Sequence, residues 1–258
     1  MRNHPLSSAR GAAAMYAIEF SPVCDSHARL LLDGRAMRRF TPLQPSVIDI
    51  SARFAPERAR VEDFIRGIYH KSYGADIAVR YPTLMSVRNA EGEVLAAAGF
   101  RMAREEPLFL EQYTRAPIET VMGRSLRVDI PRDEIAEIGN LASSGKGASV
   151  FLFAAIACYL LAHGARYAAV TGTDQLHRRF EMMGLQPSVL CDAQRSLLDS
   201  EQKSWGTYYD TQPRVLAGSL ESSMCQLNRL LGATYQENGV TLFPRVHKKS
   251  FKGFFSCG

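Results

Sequence analysis

The sequence lacks any apolar run of the roughly 18 residues that a membrane-spanning helix needs. Its most apolar stretch, residues 150–162, is too short for that purpose. We also expect no secretory leader, because the weakly apolar residues 11–17 are followed by no convincing cleavage site. We therefore expect a cytoplasmic protein whose first dozen residues are disordered.

Paired cysteines are missing as well. The chain has 5 cysteines (Cys24, Cys158, Cys191, Cys225 and Cys257), with no CxxC spacing and no cysteine–histidine cluster. This excludes the common zinc motifs and gives no disulfide framework. The sequence therefore predicts a reducing compartment and no metal site. Cys158 lies inside the most apolar stretch and is expected to be a small core residue.

Neither sign of charge dominates the chain, which carries 31 Lys and Arg against 26 Asp and Glu, a net charge of +5. We expect no nucleic-acid partner. An acidic ligand, an acidic carrier protein or weak contact with an anionic membrane surface is compatible with this charge. A hydrophobic content of 46% and a charged content of 22% are typical of a globular protein. The 258 residues suffice for one large domain or two small ones.

The most informative stretch of the sequence is residues 137–185. It predicts a short strand, a turn at residues 143–147, a long helix at 148–163, a strand at 167–171 and a short amphipathic helix. The long helix is apolar nearly all round, which indicates burial on most sides. Gly164 follows it, as expected just past a helix end. This order brings a helix start and two strand ends to one crevice.

The turn at residues 143–147 has two interpretations. The first amides of the following helix have no partners within the helix, so an anion can bind there, and Lys146 would add positive charge. A plain helix cap explains the same residues.

The rest of the chain gives weaker patterns. A hairpin with its turn at residues 89–92 is the clearest of them. A helix is predicted to open at Pro56 and close at residues 69–74. Further strands and helices are predicted at residues 17–20, 29–32, 83–87, 94–101, 193–198 and 224–231.

This order of elements resembles the Gcn5-related N-acyltransferase superfamily. Gly145-Lys146-Gly147-Ala148 is similar to a reduced form of its pyrophosphate-binding turn. Its Asn-x2-Ala-x2-Leu-Tyr-Glu-Lys-Leu-Gly-Phe pattern falls on Thr173, Leu176, Arg179, Phe180, Glu181, Met182, Met183, Gly184 and Leu185. The resemblance implies an α/β (α+β) fold with a mixed central sheet flanked by helices.

A closer resemblance is to the thermostable hemolysin family, whose name records a phenotype rather than a chemistry. It rests on five motifs between residues 82 and 218, which are Phe-Leu-Glu-Gln-Tyr (109–113), Ala-Pro-Ile-Glu (116–119), Glu-Ile-Gly-Asn-Leu-Ala (137–142), Thr-Gly-Thr (171–173) and Trp-Gly-Thr-Tyr-Tyr (205–209). This family is similar to acyl-homoserine-lactone synthases. The resemblance implies transfer of a fatty acyl group from a thioester to a small amine acceptor.

Such a reaction needs a deprotonated amine, a polarised carbonyl and a protonated leaving thiolate. The resemblance implies catalytic roles for Glu137, Asn140 and Tyr209. It implies no permanently bound cofactor, but acyl-CoA or a phosphopantetheine-linked acyl carrier protein as co-substrate. The co-substrate would be held by Gly139, Leu141, Ser143, Ser144, Gly145, Lys146, Gly147, Ala148, Thr173 and Phe180, and the acceptor or acyl chain by Phe109, Tyr113, Thr171, Trp205 and Tyr208.

Each of these roles has a structural alternative. Glu137 is equally well explained as a solvated carboxylate at a strand end, and Asn140 as a residue that only makes a turn hydrogen bond. Gly139 suits a β-bulge, whose backbone amides could hold the carbonyl. Tyr209 and Trp205 are also explained as core residues. Phe180 stands where many acetyltransferases carry a tyrosine that acts as the general acid. A phenylalanine side chain has no proton to donate. Tyr208 or Tyr209 would then supply that proton, or acid catalysis is absent.

Three functions are therefore compared: an N-acyltransferase, a membrane-lytic protein, and a thioester-binding module without catalysis. The lytic hypothesis rests on the basic and aromatic residues 245–255. The third rests on Phe180 and the thin glycine signature. We favour the acyltransferase. The predicted domain boundaries are a disordered segment at residues 1–16, an acyltransferase-like domain at 17–220, and a helix with a basic tail at 221–258.

Overall fold

The computed structural model describes residues 15–21, 27–198, 205–238 and 240–242. Within them, eleven strands form one sheet, and seven helices flank it. The strands are β1 (Met15–Phe20), β2 (Ala28–Asp33), β3 (Val47–Ser51), β4 (Thr83–Arg88), β5 (Val94–Met102), β6 (Ile135–Ser143), β7 (Tyr167–Gly172), β8 (Ser188–Asp192), β9 (Arg214–Ser219), β10 (Thr234–Glu237) and β11 (Val240–Leu242). The helices are α1 (Gly34–Phe40), α2 (Arg58–Tyr73), α3 (Glu111–Thr114), α4 (Ile118–Leu126), α5 (Ala148–Ala162), α6 (Asp174–Met182) and α7 (Leu220–Leu231).

The strand order in the sheet is β11-β10-β2-β1-β3-β4-β5-β6-β7-β9-β8. Two neighbouring pairs, β1 with β3 and β6 with β7, are parallel, and the other pairs are antiparallel. The mixed sheet flanked by helices confirms the predicted fold class. The pairing of β10 with β2 joins an early segment of the chain to a late one in the same sheet.

The parallel pair β6–β7 opens along its length. Ile135 to Ile138 pair with Tyr167 to Val170, and the pairing between the two strands ends there. Beyond that point β6 pairs only with β5, as far as Ser143, and β7 pairs only with β9. A gap therefore separates the ends of two neighbouring strands in the middle of the sheet.

Helix α5 fills the core on one face of the sheet. It confirms the helix predicted at residues 148–163, and its side chains are buried nearly all round because almost every one is apolar. Cys158 is 2% exposed and its Sγ lies 3.2 Å from Met224 Sδ on α7, which confirms it as a core residue. Gly164 follows the helix with a positive φ.

The hairpin β4–β5 and helix α7 confirm two further predictions. The helix predicted at residues 193–198 is wrong, since only the short 3-10 turn Arg195–Leu197 forms and the Ala193 amide donates to the Pro213 carbonyl in strand fashion. The predictions for residues 1–14 and for the tail at 245–258 lie outside the described residues. The predicted disordered segment at 1–16 is too long, because Met15 and Tyr16 belong to strand β1. In the described part of the chain, no helix is long and apolar enough to cross a bilayer.

Candidate functional site

Three cavities meet around the gap between β6 and β7. The first, which we call the groove, has a volume of about 160 Å³ and lies between the strand ends and the starts of α5 and α6. The second, the aromatic cavity, has about 90 Å³ and lies beside α2 and the loop before α3. The third, the apolar cavity, has about 350 Å³ and lies between the sheet, α5, α6 and α7.

The cavities share walls. Tyr69, Thr171 and Tyr208 line both the groove and the aromatic cavity, and Leu141 and Phe153 line both the groove and the apolar cavity. Neighbouring residues on a strand point to opposite faces of a sheet. Because Thr171 lines the aromatic cavity while Val170 lines the apolar one, these two cavities lie on opposite faces of the sheet, with the groove between them.

Glu137 lies on β6 beneath the aromatic cavity and is only 1% exposed. Its Oε2 accepts a hydrogen bond from the Phe109 amide at 2.9 Å, and its Oε1 accepts from the Leu110 amide and the Tyr81 hydroxyl, both at 3.1 Å. The Nε of Arg101 lies 3.3 Å from Oε2. The interpretation of Glu137 as a solvated carboxylate is therefore wrong. The residue fixes the loop before α3 to the sheet.

The surroundings of Glu137 act on its pKa in both directions. Burial raises the pKa of the carboxyl group, while the charge of Arg101 and the hydrogen bonds from Phe109, Tyr81 and Leu110 oppose that rise. The net direction is upward, because removal from water penalises the charged form most strongly. A carboxylate with a raised pKa is a stronger base than an exposed one.

Tyr81 is positioned by two glycines. Gly99 on β5 and Gly139 on β6 pair directly across the two strands. A Cβ atom at Gly99 would lie 2.5 Å from Tyr81 Cγ, and a Cβ at Gly139 would lie 2.5 Å from Tyr81 Cζ. The Arg101 guanidinium carbon lies 4.4 Å from the centre of the same ring. Gly139 therefore gives the space that a tyrosine ring needs beside Glu137.

The β-bulge lies next to Gly139 rather than at it. Between the pairs Gly99–Gly139 and Ala97–Ala142, β6 has one residue more than β5. Asn140 adopts a left-handed conformation with φ of 48° and is 8% exposed. Its side chain lies beside the Tyr69 hydroxyl and opposes the rise that burial causes in the pKa of Tyr69. Asn140 therefore lines the aromatic cavity from the bulge of β6.

An aromatic cluster forms the outer wall of the aromatic cavity. Trp205 packs at 5.3 Å from Tyr208 and 6.3 Å from Phe109, measured between ring centroids. Tyr209 packs 6.0 Å from Trp205, and its hydroxyl lies 2.5 Å from the Tyr113 hydroxyl. Burial raises the pKa of Tyr209 to about 12. Tyr209 thus lies behind the cavity wall, whereas Tyr113 and Tyr208 line the cavity itself.

The turn before α5 leaves backbone donors free. The Ser144 amide donates to Leu95 and the Gly145 amide to Ser143 Oγ, but the amides of Lys146 and Gly147 donate to no acceptor in the described part of the chain. The N-cap of α5 is Gly147, with no side-chain cap bond, so a serine cap does not form. The turn is held by Thr41, whose hydroxyl donates to the Lys146 carbonyl at 2.6 Å. The turn thus holds two backbone amides without an acceptor and one lysine next to the start of α5, where helices can bind anions.

Phe180 lies in the apolar cavity, on the opposite face from Glu137. Its ring packs 5.0 Å from Phe153, which separates the apolar cavity from the groove. The remaining wall comes from small and aliphatic residues such as Ala157, Ala168 and Leu216. No sequence motif marks this cavity, because its walls come from separate elements.

The structure brings most of the predicted site residues around the gap. The aromatic cavity contains Phe109, Tyr113, Gly139, Asn140, Thr171, Trp205 and Tyr208. The groove contains Leu141, Ser143, Thr171, Thr173 and Tyr208. The predicted residues that line neither are Glu137 beneath, Tyr209 behind, Phe180 in the apolar cavity, and Ser144, Gly145, Lys146, Gly147 and Ala148 at the turn.

Tyr81 and Arg101 complete the site and were not predicted. Both line the aromatic cavity, and both contact Glu137. Arg101 follows the continuous apolar run of β5, and Tyr81 precedes Pro82 in a loop. Neither position carries a motif, and only the three-dimensional pairing of Gly99 with Gly139 brings them together.

The structure thus brings a mixed sheet, an open parallel strand pair and a helix start to one place. The family model of thermostable hemolysins matches residues 52–224, and the chain belongs to this family. The sequence has no significant match among curated proteins.

Several solved structures are similar in fold. The acyl-homoserine-lactone synthase LasI has 14% sequence identity and a TM-score of 0.47, with 67% of this chain and 89% of that chain covered. FeeM, an N-acyl amino acid synthase from uncultured soil microbes, has 17% identity and a TM-score of 0.47, with coverage of 68% and 98%. BjaI, a CoA-dependent acyl-homoserine lactone synthase described with SAM and isopentyl-CoA, has 12% identity and a TM-score of 0.48, with coverage of 71% and 88%. Similarity at this level carries no conclusion about substrates.

Proposed function

We propose that this protein transfers a fatty acyl group from a phosphopantetheine thioester to a small amine. One observation carries the proposal. A gap between two parallel strands joins three cavities of different chemistry, and a buried carboxylate lies under the smallest of them. A thioester transfer needs separate places for the carrier arm, the acyl chain and the amine, and one point where they meet.

The groove is the proposed site of the carrier arm. It is open, it ends near the turn before α5, and Ser143, Thr173 and Arg179 give it polar walls. The free amides of Lys146 and Gly147 would hold the phosphate of the arm. The arm is the same in coenzyme A and in an acyl carrier protein, so both remain proposed donors. Neither would be a permanently bound cofactor.

The apolar cavity is the proposed site of the acyl chain. Its volume of about 350 Å³ and its aliphatic lining suit an alkyl chain, whose burial stabilises the complex by about 0.8 kcal/mol per methylene. A chain entering from the groove would pass Leu141 and Phe153, which line both spaces. Phe180 then packs against the chain rather than acting on the thiolate.

The aromatic cavity is the proposed site of the acceptor amine. Flat rings wall it, and Asn140 and Thr171 offer polar groups at its inner end. The buried Thr171 hydroxyl has no hydrogen-bond partner in the described part of the chain, so a bound molecule can satisfy it. We propose Glu137 as the final base for the amine proton, and Tyr209 as a support of the wall through Tyr113.

The experiment uses purified full-length protein with short, medium and long acyl thioesters of coenzyme A and of a carrier protein. Amino acids and small amines serve as acceptors. We expect release of free thiol that depends on the amine, and an N-acylated product by mass spectrometry. Absence of thiol release above the buffer rate with every donor and acceptor would contradict the proposed function. Thioester binding without turnover would favour the non-catalytic module instead.

A further inference from the structure

Resting on the proposed acyl transfer, we propose that the Tyr81 hydroxyl carries the proton between the acceptor amine and Glu137. Accessibility is the first reason. Glu137 is 1% exposed and does not line the aromatic cavity, whereas Tyr81 lines the cavity and donates its hydroxyl to Glu137 Oε1 at 3.1 Å. An amine bound in the cavity therefore meets the tyrosine oxygen before the carboxylate.

The second reason is that Tyr81 is held in place from several sides. Its ring packs on the paired glycines Gly99 and Gly139, where no Cβ atom fits, and the Arg101 guanidinium lies against the ring. The hydroxyl is thus fixed relative to both β6 and the cavity. A group that relays a proton needs such a fixed position, because the transfer requires hydrogen-bond distance on both sides.

The third reason is the direction of the hydrogen bond. The Tyr81 O–H donates to Glu137 Oε1, which leaves the lone pairs of the Tyr81 oxygen available to an N–H donor. In the described part of the chain, no other donor contacts this oxygen. The acceptor amine can therefore donate a hydrogen bond to Tyr81 and point its own lone pair at the thioester carbonyl.

The amine nitrogen attacks the carbonyl carbon and forms the C–N bond, and the C–S bond breaks with both electrons on sulfur. One nitrogen proton moves to the Tyr81 oxygen while the Tyr81 proton moves to Glu137. The thiolate takes a proton from water in the open groove. When the amide leaves, Glu137 returns its proton through Tyr81 to water.

The tyrosine does not need to ionise in this step. Burial and the neighbouring Glu137 raise the pKa of Tyr81 well above its ordinary value, which disfavours a free phenolate. A concerted transfer avoids that state, because Tyr81 gains one proton as it gives up the other.

The test compares two matched tyrosine variants in the thiol-release assay. Tyr81→Phe keeps the ring on the glycine pair and removes the hydroxyl. Tyr235→Phe removes another buried hydroxyl that donates to a glutamate, Glu237 at 3.2 Å, on strand β10 away from the site. We expect Tyr81→Phe to lower kcat by about 10² to 10⁴-fold with an unchanged KM for the thioester. Tyr235→Phe should keep the wild-type kcat.

A second measurement uses the wild-type protein alone, so that it does not depend on the folding of a variant. The rate is followed in mixtures of light and heavy water. Two protons in flight give a curved dependence on the deuterium fraction, and a single proton gives a straight line. A straight line, or a Tyr81→Phe variant with full kcat, would overturn the relay and leave the acyl transfer standing. A wild type without turnover would overturn both.

Discussion

The aromatic and apolar cavities lie on opposite faces of the same sheet and are built on different principles. Around the aromatic cavity, hydrogen bonds and ion pairs fix the wall residues, since the Glu137 carboxylate alone contacts two amides, one phenol and one guanidinium. The apolar cavity is instead shaped by the packing of mostly aliphatic side chains. An apolar pocket distinguishes two ligands that differ by one methylene by only about 1–3 kcal/mol of binding free energy. A polar pocket rejects a wrong ligand more strongly, because that ligand leaves buried polar groups of the protein without hydrogen bonds. We therefore expect the acceptor to be selected more strictly than the acyl chain.

We expect the largest loss of stability and turnover from Glu137→Gln, which weakens the hydrogen bonds and the ion pair of this carboxylate. The amide side chain would face two backbone donors with one oxygen, and it would remove one of the two carboxylates that pair with the buried Arg101, leaving only Glu106 at 3.2 Å. We expect unfolding to require about 3–5 kcal/mol less free energy, measured by urea denaturation. Turnover should fall by about 10² to 10⁴-fold. A soluble variant with full turnover would remove Glu137 from the reaction.

Gly139→Ala tests the same cavity through its packing. The added Cβ would overlap the Tyr81 ring and move its hydroxyl, so we expect a loss of about 1–3 kcal/mol in stability and a clear loss of turnover. Gly67→Ala is the matched control, since Gly67 lies inside α2 with open space around its Cβ position. That control should gain up to about 1 kcal/mol, as expected for alanine in a helix. Equal stability changes in the two variants would contradict the role of Gly139.

Ala168→Leu tests the apolar cavity, whose wall Ala168 forms on β7. The longer side chain occupies space that we assign to the acyl chain. We expect the ratio of kcat/KM for long over short thioesters to fall by about tenfold or more, as for one to a few methylenes. The KM for the amine should not change, because the aromatic cavity lies on the other face. An unchanged dependence of kcat/KM on acyl-chain length would show that the acyl chain of the donor does not bind in the apolar cavity.

We expect the smallest effect on the pH dependence of folding stability, through Glu111 at the start of α3. Burial of Glu111 opposes its ionisation, but the Arg132 guanidinium and the amides of Ile118 and Leu108 outweigh it, so the pKa of Glu111 is lowered from 4.5. The stabilisation is therefore present above the ordinary pKa and is lost as the pH falls through the lowered one.

Glu111→Gln should accordingly show a flatter loss of stability than the wild type between neutral pH and the acid transition. Urea midpoints across that range measure the difference. The effect is modest, since Arg132 is partly exposed to solvent, which screens the pair. A variant with an equally steep loss would assign the acid sensitivity to other carboxylates.

Much of the fold around the site was predictable, because its signals are local. The apolar run of α5, the turn before it and the hairpin β4–β5 are each determined by neighbouring residues. The pairing of β10 with β2 was not predictable, because short strands far apart in the chain carry no information about their partners. The predicted helix at residues 193–198 failed since pairing with Pro213 took precedence over local propensity.

The site was predictable where a motif marks it and not elsewhere. The motifs that contain Gly139, Asn140 and Trp205 drew attention to residues that line one cavity, and the catalytic and binding roles of these residues stay predictions. The burial of Glu137 could not be read from its neighbours in the sequence, because Tyr81, Arg101 and Phe109 come from three other segments. The sequence does not indicate the apolar cavity either, because lining residues such as Ala157 and Ala168 have the pattern of ordinary core residues.

The joining of β2 to β10 has a consequence for biosynthesis. Strand β2 emerges from the ribosome long before its outer neighbour exists, and at ~5–20 residues per second that neighbour follows after roughly 10–40 seconds. During that interval the outer edge of β2 offers free backbone donors and acceptors to any other nascent chain. Yield of intact protein should therefore depend on translation speed and on chaperones that shield this edge.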